Sequence, residues 1–250
     1  MHKSQFLYLC ILVLIIGCSP KETLQPYKKP VPVQSKYLKL HQIYLNGEHN
    51  NTYTYDDEHR ITSNSYQIGV ASYEYENDTT FETLTLHSGS IFNYSKKYSL
   101  DANTVKHEYF DNDKILEYYT ISHYNINPCG HSEQLYFDKD GNQTSRNVVE
   151  YLDSNCSQIE TRYNSSNEVF RKITITKSDL YNAANSIRRE PLMFDFQHEW
   201  MTRMGEDGDG IINPEFSFES VIIPNDDNYP KTKTVTNQNG SVQEYEYFYY

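Results

Sequence analysis

Basic residues, tryptophan, cysteine and long apolar runs are all scarce in this sequence. Only 22 Lys and Arg stand against 34 Asp and Glu, a formal net charge of −12. That balance argues against a nucleic-acid or anionic-lipid partner held by charge, because both select basic patches. The pairs Lys28-Lys29, Lys96-Lys97 and Arg188-Arg189 are isolated and read as solvated faces. Beyond the first 20 residues no apolar run could cross a bilayer as a helix, which takes roughly 20 residues. A Gly-rich phosphate loop and the Cys/His spacing of a zinc site are also missing.

What is present begins with the first 20 residues. Lys3 precedes an unbroken run, Phe6 to Ile16, of eleven mostly apolar residues. The run is too short to span and has the length and flanks of a secretory signal. It ends Ile15-Ile16-Gly17-Cys18, which resembles the lipobox of bacterial lipoproteins. The resemblance implies cleavage before Cys18 and acylation of that residue; an ordinary signal with an incidental cysteine is the plainer alternative. Two or three acyl chains, at about 0.8 kcal/mol per buried methylene, make release negligible. The expectation is a protein anchored to a membrane that it does not span.

Four cysteines fit export. Cys10 leaves with the signal and Cys18 carries lipid, so Cys129 and Cys156 remain. In an oxidising compartment such a pair reads as a disulfide, worth about 3–4 kcal/mol on the chain-entropy model; two buried thiols are the alternative. Residues 18–36 read as the lipidated cysteine and a tether: "SPKETLQPYKKPVPVQSK" holds four prolines and little periodic apolar signal. Partly extended, it reaches up to roughly 55 Å. The domain proper is expected over 37–250.

From Tyr37 to Lys177 short strands alternate with turns. Tyr53 and Tyr55, then Tyr73 and Tyr75, recur at period two before polar turns, and Phe81, Thr83 and Thr85 follow the second. Aromatic and β-branched residues at that period, punctuated by Asp, Asn and Gly, signal strands and hairpins. Units lie roughly 20–28 residues apart, which suggests an up-and-down meander. Near Ser178 the pattern changes. "SDLYNAANSIRRE" places Leu180, Ala183, Ala184 and Ile187 at helical spacing, with Arg188 and Arg189 at the negative end and Pro191 as a stop. "MFDFQHEWMTRM" reads as a second short helix or a packed loop. Strands resume at "EFSFESVII", and the chain closes with a hairpin turning at Asn239-Gly240. The expected fold is mainly β: an antiparallel meander, as a single curved sheet or open sandwich, with a small helical insertion near residues 178–204.

"YDDEHRI", "FDKDGN" and the stretch from Tyr229 to Val235 carry a second resemblance. They resemble YD-repeat-like β-meander lipoproteins of Bacteroidetes type, many of unknown function. The resemblance implies a β-rich envelope protein and supplies no catalytic residue.

Candidate sites are few. Tyr is the most distinctive residue, with 24 copies. Tyr245, Tyr247 and Tyr249 share one face of the last strand, and Phe248 and Tyr250 the other. Exposed rings could stack on sugars or hold a partner strand, although Tyr also simply packs well on pleated surfaces. "GEDGDGIINPEF" resembles a calcium loop of the EF-hand and dockerin kind, with Asp207, Asp209 and Asn213 as candidate ligands. Gly205 and Phe216 stand where that loop places its terminal carboxylates, and an acidic surface turn explains the same residues. His107 and Asp111 share a strand face, while "HEWMT" and "GHSEQ" lack the rest of the zinc-protease and nucleophile-elbow motifs. Asp78-Thr79-Thr80 resembles the sites at which Bacteroidetes-type exported proteins are O-glycosylated, which makes Thr79 a candidate. No cofactor is expected apart from the calcium candidate.

The functional expectation is a non-catalytic cell-envelope lipoprotein that presents a Tyr-rich sheet surface to a protein or glycan partner. The alternative is a periplasmic or surface enzyme of hydrolase type, with a site between the sheet and the helical insertion. The expected place is the outer membrane. Ser19-Pro20-Lys21-Glu22-Thr23, with one acid and one base, does not choose a side.

Overall fold

The alternation read from the sequence becomes sixteen consecutive antiparallel strands. The computed structural model describes residues 39–124, 129–154, 156–181 and 198–250. The signal, Cys18 and the tether lie outside the described residues. The strands are β1 (Leu40–Leu45), β2 (Glu48–Tyr55), β3 (Ile61–Tyr66), β4 (Gly69–Glu76), β5 (Thr79–Leu86), β6 (Ile91–Asp101), β7 (Thr104–Phe110) and β8 (Leu116–Tyr124). They continue as β9 (His131–Asp138), β10 (Gln143–Tyr151), β11 (Gln158–Asn164), β12 (Val169–Tyr181), β13 (His198–Asp207), β14 (Phe218–Pro224), β15 (Pro230–Asn237) and β16 (Val242–Tyr249). Each strand pairs with its chain neighbours, and β1 pairs with β16 to close a barrel. In that seam Leu40 faces Tyr249, Ile43 faces Tyr247 and Leu45 faces Tyr245.

Two expectations are corrected here. The meander is neither an open sheet nor a sandwich. Sixteen strands accumulate a twist of roughly 20–25° per neighbour, and pairing β1 with β16 removes the two bare edges that an open sheet would expose. The helical insertion is also overturned where it is described. Residues 178–181 continue β12, and His198–Met204 lie within β13, with Tyr181 opposite His198 in the ladder. Helix formers lost there because the end of β12, past its last β11 partner at Ile175, is carried on by its ladder with β13; residues 182–197 lie outside the described residues.

One turn recurs. Asp111, Asp138, Asn164, Asp207 and Asn225 each accept, through Oδ1, the backbone N–H two and four residues on. The residue at the third place then takes positive φ: Lys114, Gly141, Asn167, Gly210 and Asn228. Asp56 and Asp153 likewise accept the N–H four residues on, with His59 and Cys156 at positive φ. A type I turn followed by a left-handed residue is a standard hairpin connection, and the Asx side chain seals it. The aromatic-Asp motif is therefore the end of a strand and the first residue of such a turn.

The wall has two faces that differ in exposure. Along β16, Gln243, Tyr245, Tyr247 and Tyr249 are half-buried while Val242, Glu244, Glu246 and Phe248 are exposed. The half-buried set lines the concave inner face, where side chains crowd. Ladder register carries that assignment around the barrel.

Candidate functional site

Among the described residues, the inner wall gathers most of the tyrosines. On β2, β4 and β16 a Tyr-x-Tyr pair descends to the rim where β1 begins and β16 ends. Its last hydroxyl donates to a carbonyl at the start of the preceding strand. Tyr55 donates to Leu40 O at 2.6 Å, Tyr75 to Ile61 O at 2.7 Å and Tyr249 to Pro230 O at 2.9 Å. Behind these latches Leu40, Tyr53 and Ile61 are buried, with Ile43, Tyr55, Tyr73, Tyr247 and Tyr249 packed against them.

Further round, an inner row crosses β5 to β9 as Thr80, Lys97, His107, Thr120 and Tyr136. His107 Nδ1 lies 2.9 Å from the Tyr109 hydroxyl, and the two rings stack at 4.1 Å. Tyr109 stacks in turn on Tyr118 at 4.3 Å. Burial, assisted by the charge on Lys97, lowers the His107 pKa to about 4, so the imidazole is neutral at neutral pH. Burial likewise pushes the Tyr109 phenol upward.

The inner face of β11–β13 is cationic. Glu160 accepts from Arg162 Nε at 2.8 Å and from Asn147 Nδ2 at 2.9 Å. Arg171 faces Arg162 across the β11–β12 ladder. Arg203, on β13, feels Glu160, Arg162 and Arg171 electrostatically, and burial lowers its pKa. The β13–β14 connection folds over this group. Its short 3-10 turn, Pro214–Phe216, sets the Phe216 ring 3.9 Å from the Arg171 guanidinium. Gly205 makes room for it: a Cβ there would stand 2.7 Å from Phe216 Cβ. Sequence reasoning missed this cluster, although period-two parity places Glu160 and Arg162 on one face.

The outer wall has different chemistry. Lys106 pairs with Glu108 at 2.8 Å and lies 4.2 Å from the Tyr119 ring centre. Arg146 pairs with Glu133 at 3.6 Å and lies 4.4 Å from the Tyr163 ring centre. Lys96 sits over Tyr98 at 4.9 Å. Apolar outward residues such as Val221 and Ile223, 70% and 58% exposed, are interleaved with Ser220 inside and with Glu219 and the β15 threonines outside.

The residues singled out from the sequence lie as follows. Cys129 and Cys156 form a disulfide, Cα–Cα 5.3 Å, between the β8–β9 and β10–β11 connections. That bond is at the rim where β1 begins. Asp207, Asp209 and Asn213 lie at the opposite rim. Asp207 Oδ1 takes two backbone N–H groups as the recurrent turn does, and Asn213 caps the 3-10 turn through Glu215 N. Among the described residues no group of three or more His, Cys, Asp or Glu could hold a metal. His107 and Asp111 are apart in role, the first inside the wall and the second closing the β7–β8 turn. Thr79 opens β5, half-buried on the outer face.

Fold and wall together define a closed, all-antiparallel β-barrel. Among solved structures the chain is similar to a porin-like protein from Bacteroides uniformis ATCC 8492, with TM-score 0.53 and 13% identity over 80% of this chain and 90% of that one. It is also similar to a porin-like protein from Bacteroides vulgatus ATCC 8482, with TM-score 0.49 and 10% identity over 85% and 99%. At such identity the first likeness speaks for the fold alone. No protein-family model and no curated protein matches the chain.

Proposed function

We propose that this chain is a non-catalytic lipoprotein of the cell envelope. It is anchored through acylated Cys18 and stands in water as a barrel whose tyrosine-lined lumen receives a protein segment or a glycan. The observation that carries the reading is the contrast between the wall's two faces. Lys106, Glu108, Arg146 and Glu246 stand on the outer face in the middle of their strands. A charge on the lipid face of a membrane barrel costs about 2–4 kcal/mol at mid-bilayer. Most strands run six to eight residues, below the roughly 9–11 of a spanning strand. Porin-like barrels thus supply the likeness in fold, while the outer surface here suits water. The Tyr-rich surface is accordingly the lumen rather than an open sheet face, and the lipid supplies attachment.

Two experiments test the reading. A Cys18→Ala chain, unlipidated, is expected to remain monodisperse in detergent-free buffer; carbonate-resistant membrane association would overturn the water-standing barrel. Photo-crosslinkable phenylalanine at 247 and at 248 then probes adjacent positions on opposite faces. Adducts from position 247 and not 248 are expected in cells, and the reverse would move recognition to the outer wall.

A further inference from the structure

We propose that the inner wall of β11–β13 is a binding site for an oxyanion, the carboxylate, sulfate or phosphate group of a small molecule, held by Arg171 and Arg203 with Arg162 behind them. The inference rests on the lumen being the working face. It begins with the distribution of charge. The whole chain carries −12, yet inward positions of β11–β15 hold Arg162, Arg171, Lys177, Arg203 and Lys233. The acids concentrate outside, at positions such as Glu108, Glu133, Glu219, Glu244 and Glu246. Glu160 and Asp207 share that inward face, so the cations there are in excess, and a concave wall with an excess of one sign concentrates the opposite ion.

Local chemistry sharpens the point. Among the described residues, two carboxylates stand near the three guanidiniums, and both are engaged. Glu160 is held by Arg162 through Nε and Nη2, each at 2.8 Å, and by Asn147. Asp207 faces Arg171 in the ladder, but its Oδ1 takes the N–H groups of Asp209 and Ile211. Arg171 contacts aromatic rings, with Phe216 at 3.9 Å and Phe170 at 6.0 Å, and pairs with no carboxylate among the described residues. Stacking on Phe216 leaves the edge of the guanidinium, with its fork of donors, directed away from the ring face. Arg203 lies 5.9 Å from the same ring. Like charges collected on one part-buried surface repel one another, and Arg162 and Arg171 act on Arg203 in that sense, with Glu160 opposing them. A bound oxyanion relieves the repulsion, and planar forks suit bidentate capture of carboxylate, sulfate or phosphate.

The test uses the full-length lipidated chain in a neutral detergent at about 50 mM ionic strength. Calorimetry is run with galacturonic acid, inorganic sulfate, inorganic phosphate and, as the uncharged counterpart, galactose. At least one oxyanion is expected to bind with a Kd of about 1 mM or tighter while galactose gives no heat. Binding of galacturonate alone would assign a sugar carboxylate, and binding of sulfate or phosphate an inorganic or esterified anion. R171Q and R203Q are each expected to weaken binding at least about tenfold with the melting curve retained. E160Q, which removes the competing carboxylate, is expected to strengthen it severalfold. Should R203Q fail to fold, R171Q and E160Q decide. The proposal is overturned if no oxyanion binds or if R171Q leaves the Kd unchanged. If galactose binds as well as galacturonate, the charge argument falls while the lumen reading stands.

Discussion

On the inner face of the wall Tyr55, Tyr75 and Tyr249 point their hydroxyls at main-chain carbonyls. On the outer face Tyr98, Tyr119 and Tyr163 lie beneath Lys96, Lys106 and Arg146. One residue type thus serves two purposes, set by which side of the sheet it occupies. Inside, where water is crowded out, a phenol satisfies a backbone acceptor that would otherwise be costly to bury. Outside, the ring covers the aliphatic stem of a cation whose head stays solvated. Stability should therefore depend on the inner face and solubility on the outer.

That division predicts a graded set of effects. Ile61, fully buried behind the latches, should be the most sensitive: Ile61→Ala is expected to lower unfolding free energy by about 3 kcal/mol in a urea titration. A loss under about 1 kcal/mol would mean that the inner cluster is not the main support. The second effect is acid sensitivity. The folded pKa of His107 is about 4, below its ordinary value of 6.5. The stability from keeping it neutral is complete above pH 6.5 and is lost as pH falls toward 4. Between pH 6.5 and 5 the change is about 2 kcal/mol, and H107Q should flatten that slope relative to the parent. Third, Tyr55→Phe removes one latch and should cost about 1 kcal/mol. Last, Glu133→Gln on the outer wall should change stability by less than about 0.5 kcal/mol, with even that difference erased in 0.5 M salt. An outer substitution as costly as Y55F would collapse the distinction between the faces.

The strands and turns were legible because local chemistry writes them. Tyr53-x-Tyr55 and Tyr73-x-Tyr75 give period two, and Asp111, Asp138 and Asp207 each start a turn that needs only its own four following residues. The same turn explains why "GEDGDGI" resembled a calcium loop: Asp, then Gly at positive φ, is what both structures require. Closure was not legible, since nothing in Leu40–Leu45 names Tyr245–Tyr249 as its partner. Nor was the direction of each face: Tyr247 and Phe248 are adjacent rings, and only a closed wall says which looks inward. Ser178 to Tyr181 misled because helix propensity is local, whereas the β13 ladder that overrules it is not. The arginine cluster escaped for a related reason, because Arg162, Arg171 and Arg203 come from three strands and meet only through register.

The seam between β1 and β16 has a kinetic consequence. Every other pairing joins chain neighbours and can zip as each hairpin forms, on the order of microseconds. The last pairing must bring together Leu40 and Tyr249, and its loop-closure cost grows only slowly with chain length. It remains a single late event that waits for all fifteen preceding ladders. Until it happens the molecule is a curved ribbon with two bare edges, each a template for another copy's strand. Folding yield is then a race: intramolecular closure is independent of concentration, and edge capture rises with it. A dilute, early-folding chain becomes a barrel, and a crowded one becomes a fibre or an aggregate.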